Sequence, residues 1–326
     1  MRRREFIVLL GGAAVGRPLA ARAQQPVIPA VGFLSSGGPE QLAHLLAVFR
    51  QSLAETGYIE GRNVVIEYRW AEGKYDRMPT MAEELLRGQV AVIVASPTPP
   101  ALVAKAATAT VPIVFGVTDD PIKLGLVTSL ARPDGNATGV YFFLSGLAAK
   151  QLGLLRELVP TASRIGLLVN PENANAEAVT REMAAAVSTL GLQIEVVRAS
   201  DVQGIEAAFA ALARNKTDAL VVGADLFFFF RRTQFATLAT RHAIPAVYTV
   251  REYPQAGCLM SYGTSLPEVF QQLGIYTGRI LKGAKPTHLP VVQSTKFDFV
   301  INLTTARALG IEVPPTLLAR ADEVIE

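Results

Sequence analysis

The sequence predicts an α/β protein of two similar lobes, each a doubly wound parallel sheet with helices on both faces. Two observations carry this. Short β-branched apolar runs alternate with longer amphipathic stretches along the chain, and near-continuous apolar strands between helices belong to parallel sheets covered on both sides. The alternation also runs twice, with the turn signal Pro133-Asp134-Gly135 between the two series.

Residues 1–23 read as an export signal rather than as part of either lobe. Arg2, Arg3 and Arg4 precede a short apolar stretch, and Ala21-Arg22-Ala23 offers small residues for cleavage before Gln24. Arg3-Arg4-Glu5-Phe6-Ile7 resembles the twin-arginine export pattern, which sets the expected compartment as the periplasm. The apolar stretch is shorter than the ~20 residues that span a bilayer. No cysteine follows it to carry a lipid.

The first strand series is expected at 30–34, 64–68, 90–95, 111–116 and 139–143. Helical patterns at about 39–56, 78–88, 99–109 and 121–131 separate these runs. The second series is expected at 165–169, 192–197, 219–222, 246–248 and 259–262, with helices at about 172–190, 202–213 and 230–243. Ser265-Leu266-Pro267-Glu268 reads as a capping box opening a helix to about 282. A polar link, a strand at 297–301 and a helix from 304 complete the chain. These leftover elements imply that the chain crosses between lobes more than once, which makes a hinge. The expected first lobe is 26–137 with 264–289, and the second is 138–263 with 290–326.

The charge balance belongs to the working chain only after the signal is set aside. The whole sequence has 31 Lys and Arg against 28 Asp and Glu. Five arginines and one glutamate lie in residues 1–23, which leaves 26 against 27, a net of −1. A nucleic-acid partner therefore has no electrostatic basis. Cys258 is the single cysteine, so an internal disulfide framework is excluded and no metal site or cofactor is expected. His44, His242 and His288 follow no strand, and no nucleophile elbow or metal-ligand spacing is present, so an enzyme is not expected.

Ligands of open parallel sheets sit beyond the carboxyl ends of the strands. Ser35 and Ser36, before Gly37-Gly38, are either ligand hydroxyls or an ordinary turn into the first helix. Ser96 and Thr98 flank Pro97. Thr98 reads as an N-cap with Pro99 at the first helical position, and free N–H groups there would hold a carboxylate. Thr118 and Asp119 are ligand candidates, with Asp120 a helix cap. Asn170 and Asn173, with Asn175, offer amide donors and acceptors at the start of the second lobe. Asp225 is positioned to pair with a ligand ammonium. Phe227–Phe230 follow it, and neighbours on a helix lie ~100° apart, so two can be core while the others, Phe227 among them, line the cleft or a partner surface. Tyr248 and Tyr262 end later strands and are either ligand contacts or core tyrosines.

A family resemblance covers essentially the whole mature chain. Glu60-Gly61-Arg62-Asn63-Val64 and Glu67-Tyr68-Arg69-Trp70-Ala71-Glu72-Gly73 resemble the first-lobe signature of a bacterial ABC-transporter substrate-binding family, as do Ala104-Lys105-Ala106-Ala107-Thr108 and Asp120-Pro121 with Lys123–Val127. Arg241-His242-Ala243-Ile244-Pro245-Ala246 and Leu259-Met260-Ser261-Tyr262-Gly263 match in the second lobe. Thr295-Lys296-Phe297 and Leu317-Leu318-Ala319-Arg320-Ala321-Asp322-Glu323-Val324-Ile325 are the most specific part. The resemblance implies a type I periplasmic binding fold with three crossovers, whose relatives include binders of tryptophan and other aromatic amino acids. It implies that Ser96, Thr98 and Thr118 hold a carboxylate and Asp225 an amino group. Here Leu226 and Phe229-Phe230 depart from the Asp-Pro-Phe-Phe and polar pair of such relatives. The function expected is that of a monomeric periplasmic component of an ABC importer, which binds a small carboxylate-bearing or aromatic solute and docks on an inner-membrane permease. A ligand-sensing partner of a membrane receptor, or a periplasmic enzyme, is the alternative.

Overall fold

The computed structural model describes residues 28–142, 147–173 and 175–326. The expected export signal lies outside the described residues. The chain opens with β1 (Ala30–Ser35), α1 (Ala43–Glu55), β2 (Val65–Trp70), α2 (Met78–Arg87), β3 (Val92–Ser96), α3 (Thr98–Ala107), β4 (Ile113–Val117) and β5 (Ala137–Tyr141). It continues with α4 (Ala148–Leu158), β6 (Arg164–Val169), α5 (Ala176–Thr189), β7 (Gln193–Arg198), α6 (Val202–Arg214), β8 (Ala219–Val222), α7 (Leu226–Phe230), α8 (Arg232–Arg241), β9 (Ala246–Tyr248), α9 (Glu252–Gln255) and β10 (Met260–Thr264). It ends with α10 (Leu266–Leu281), β11 (Val292–Gln293), β12 (Phe297–Asn302), α11 (Leu303–Ala308), α12 (Pro315–Leu318) and β13 (Glu323–Ile325).

Two sheets result. The first has the order β11-β5-β4-β3-β1-β2 and is parallel throughout. The second has the order β13-β12-β10-β9-β8-β6-β7, parallel except where β12 runs against β10. The chain passes between sheets three times: after β5, from β10 into α10, and from β11 into β12. All of β5 and β11 hydrogen-bond in the first sheet, so the crossings fall a few residues beyond the expected boundaries at 137 and 289.

The strand faces sort the core. Along β1, Val31 and Phe33 point to one apolar cluster and Leu34 to another, the alternation a strand imposes. Phe33 sits at the centre of an aromatic group, 5.5 Å from Phe49, 5.7 Å from Tyr68 and 5.6 Å from Trp70 between ring centroids. α10 lies against α1 because it carries glycines at the contact: a Cβ on Gly274 would stand 2.5 Å from the Phe49 carbonyl oxygen. The cluster containing Phe33 continues into the second lobe through Phe228, Phe235 and Tyr248.

Three local expectations fail for identifiable reasons. The helix expected at 121–131 is a series of turns, because Gly125 adopts φ +71° and ends the first turn. The capping box at Ser265 does not form: its side chain makes no cap bond, and Glu268 instead accepts a hydrogen bond from Ser294 Oγ at 2.8 Å. The helix expected at 230–243 begins earlier and divides at Arg231, between α7 and α8. Helix α4 had no counterpart among the expected elements.

Candidate functional site

The carboxyl ends of β1, β3 and β4 face those of β6 and β8 across the space between the lobes. The first polar chain crosses this space. Thr118 Oγ1 donates its one proton to Asp119 Oδ2 at 2.9 Å. It must therefore accept from Thr98 Oγ1, 3.0 Å away. Thr98 Oγ1 in turn accepts the Thr118 N–H at 3.1 Å. Asn175, on the second lobe, then donates to both Asp119 oxygens at 2.9 and 2.8 Å.

Asp225 organises the second-lobe wall. It is the N-cap of α7 and accepts the Phe228 N–H at 3.2 Å. Asn170 Nδ2 donates to its Oδ1 at 3.2 Å and Asn173 Nδ2 to its Oδ2 at 2.9 Å. The amides are themselves fixed, since Asn170 Oδ1 accepts the Glu172 N–H and Asn173 Oδ1 the Asn175 N–H. Half-exposed Tyr75 of the first lobe reaches this wall. Burial, then the negative charges of Asp225 and Glu172, push its phenol above the ordinary value.

The four phenylalanines divide as helical geometry requires. Phe228 and Phe229 are buried; Phe227 and Phe230 are half-buried. The Arg231 guanidinium lies over the Phe227 ring and that of Arg232 over Phe229. Phe230 crosses to the first lobe, where its ring edge meets Gly37. On the hinge flank, His44 Nε2 of α1 lies 3.0 Å from Glu252 Oε1 of α9. The other Glu252 oxygen is buried with no hydrogen-bond partner.

Strand-end position thus brings Thr98, Thr118, Asp119, Asn170, Asn173 and Asp225 to one cleft, with Phe227 in the helix that Asp225 caps. Ser35 takes the turn reading: its Oγ accepts the Gly37 N–H at 3.1 Å. Ser36 Oγ is buried with no partner. Ser96 is buried with its Oγ beside Gly116. Thr98 is not the N-cap; Pro97 holds that position. The start of α3 offers fewer N–H groups for a carboxylate than expected. Pro99 and Pro100 have none, and the Ala101 N–H bonds the Pro97 carbonyl. Tyr248 takes the core reading. It is fully buried, stacked on Tyr253 at 4.4 Å and packed edge-on to Phe235, because β9 is an interior strand covered by the layer carrying Phe235. Tyr262 stacks on Phe297 at 5.9 Å, at the crossover. The residues that strand ends did not single out are Tyr75, His44 and Glu252, which come from a turn, a helix side and a short helix of the opposite lobe.

Within the second lobe, Asn170, Asn173, Asn175, Gly223 and Ala224 bound a space of ≈ 10 Å³, room for about one water. A larger cavity of ≈ 340 Å³ lies on the hinge flank, lined by Gln51, Glu55, Arg251, Glu268, Gln271 and Lys296. It lies away from the strand ends where the polar chains converge.

Two parallel-sheet lobes joined by three crossovers, with polar chains meeting at facing strand ends, define the type I periplasmic binding class. The profile of the family described as ABC transporter substrate binding protein matches residues 40–325; the chain belongs to that family. It is 25% identical over 264 residues to a tyrosine-binding protein of Clostridioides difficile, covering 81% of this chain and 76% of that one. It is similar to an ABC domain from Streptococcus pneumoniae solved in complex with L-Trp, at 27% identity and TM-score 0.82, covering 91% of this chain and 99% of that chain. A leucine-binding protein from Thermotoga maritima shares the fold at 12% identity and TM-score 0.57, over 78% of this chain and 81% of that chain.

Proposed function

We propose that this substrate-binding protein carries an α-amino acid with an apolar or aromatic side chain through the periplasm to the permease of an ABC importer. It acts as a monomer, by binding without turnover. The observation that carries the reading is Asp225, a carboxylate positioned by Asn170, Asn173 and the Phe228 N–H at the second-lobe wall. A fixed carboxylate facing the cleft is the complement of a solute ammonium. The relatives support the same class, since one is named a tyrosine-binding protein and another was solved with L-Trp.

The hydroxyl chain narrows which groups take the solute carboxylate. The protons of Thr98 and Thr118 are committed toward Asp119. Ser36, whose buried Oγ has no partner, and Ser96 are therefore the first-lobe hydroxyls assigned to the carboxylate. Closure around the solute requires that it bind the closed arrangement better than the open one. Asp225 on one lobe and Ser36 on the other supply that difference, because only the closed form brings both to one molecule.

A thermal-shift screen of the twenty L-amino acids and simple aromatic acids tests this. At one hundred times Kd a ligand adds about 2.7 kcal/mol of stability. The expected result is a saturable rise in Tm with at least one apolar or aromatic amino acid, abolished in Asp225→Ala. No rise with any of them, or a rise that survives Asp225→Ala, contradicts the reading. Turnover of the solute contradicts the assignment as a carrier.

A further inference from the structure

The half-buried Phe230 contributes to no polar chain, yet it makes an apolar contact between the two lobes at the cleft. It ends α7, the helix that Asp225 starts, and its ring rests edge-to-face on buried Phe229 at 5.6 Å. Across the cleft, its Cζ lies 2.6 Å from where a Cβ on Gly37 would stand, with Leu42 Cδ1 at 3.3 Å from the same point. Gly37 is buried and has no positive φ. Its backbone conformation does not call for glycine; the approach of the ring does. The loop it lies in is held in place, since the Gly37 N–H bonds Ser35 Oγ and the Gly37 carbonyl accepts the Glu72 N–H at 3.2 Å. The ring therefore closes on a fixed, side-chain-free stretch of backbone beside Ser36.

α7 has five residues, so its two ends are about 7 Å apart at 1.5 Å per residue. That is on the scale separating the ammonium of an α-amino acid from the far end of its side chain. Asp225 stands at one end of this span and Phe230 at the other.

We infer that Phe230, closing against Gly37, determines specificity by setting the largest side chain the closed cleft admits. This rests on the amino-acid reading above. A small ring contact is sufficient for such a role: one methylene more or less in an apolar pocket changes discrimination by roughly 10–200-fold.

The test is calorimetric titration of wild type, Phe230→Ala and Phe230→Leu with L-Leu, L-Phe, L-Tyr and L-Trp, paired with small-angle scattering of the ligand-free wild type, Phe230→Ala and Gly37→Ala. In Phe230→Ala the affinity for L-Trp relative to L-Leu is expected to rise at least tenfold over wild type, with Phe230→Leu between them. Gly37→Ala, whose new methyl meets the ring, is expected to have a larger radius of gyration and weaker binding of every probe by a similar factor. Parallel changes in all four affinities for Phe230→Ala, leaving their ratios fixed, overturn the inference. So does a Gly37→Ala radius equal to that of wild type. If wild type binds none of the four, the amino-acid reading fails. The ring contact is then judged by scattering alone, where unchanged radii for both variants reject it as well.

Discussion

At the scale of the residue, Asp225 is both the N-cap of α7 and the group proposed to hold the solute ammonium. Its carboxylate both caps α7 and faces the cleft, so two substitutions separate the roles. Asp225→Asn keeps an N-cap acceptor and loses the charge. It is expected to keep its melting temperature within a few degrees while solute affinity falls at least tenfold. Asp225→Ala loses the cap and leaves two amides without their acceptor, and is expected to lose about 1–2 kcal/mol in urea unfolding as well. Cys258 shows the opposite environment. Burial beside Tyr248 pushes its thiol up to about 12, so the thiolate is scarce at pH 8. The native protein is expected not to react with a thiol reagent at that pH, and one thiol is expected to appear on denaturation; fast reaction of the native chain contradicts this. Thr118, Asp119, Asn170, Asn173 and Asp225 were legible because each follows a strand, and the sheet directs strand ends to the cleft. Tyr75 and Phe230 were harder, since their contacts are made by another lobe at a distance no local pattern encodes.

At the scale of the element, most strands were legible to within two or three residues from their apolar runs. What escaped was decided by single bonds or by tertiary packing. A left-handed Gly125 removed one expected helix, and α4, which buries Leu152, Leu155 and Leu158, was not singled out although its residues follow a helical spacing. The α1–α10 contact is tight enough to test: Gly274→Ala places a methyl against the Phe49 carbonyl and Ser52. A loss of about 1–3 kcal/mol is expected from overpacking, read as a lower urea midpoint. Asp218 ties the start of β6 to the turn before β8. The backbone N–H of Arg164, then that of Ser163 with its hydroxyl, hold its carboxyl below the usual aspartate value. Its stabilisation is therefore full above about pH 4, the unfolded aspartate value, and is lost as pH falls through the lower folded value. Asp218→Asn is expected to flatten the drop in urea midpoint between pH 5 and pH 2. An unchanged acid profile would show that these bonds contribute nothing.

At the scale of the molecule, the described residues join the lobes through Asn175 to Asp119, His44 to Glu252 and the Phe230 ring on Gly37, besides the apolar cluster that runs through both. The two-lobed plan and the hinge were legible because the strand–helix alternation runs twice and leaves a tail that fits neither lobe alone. The crossing points were set a few residues early: β5 and β11 pair in the first sheet, and the run at 139–143, although read in the first strand series, fell past the boundary drawn at 137. A solute that adds bonds to both lobes favours the closed arrangement to the extent that it binds that arrangement better than the open one. The most direct test is calorimetric titration of the chain lacking residues 1–23 with the amino acid that the thermal screen selects, in wild type and in Asp225→Ala. The account predicts one solute per chain in wild type, with Kd at or below about 1 μM, some −8 kcal/mol, and binding at least a hundredfold weaker in the variant. Equal binding by both proteins, or no binding of any amino acid by wild type, would contradict it.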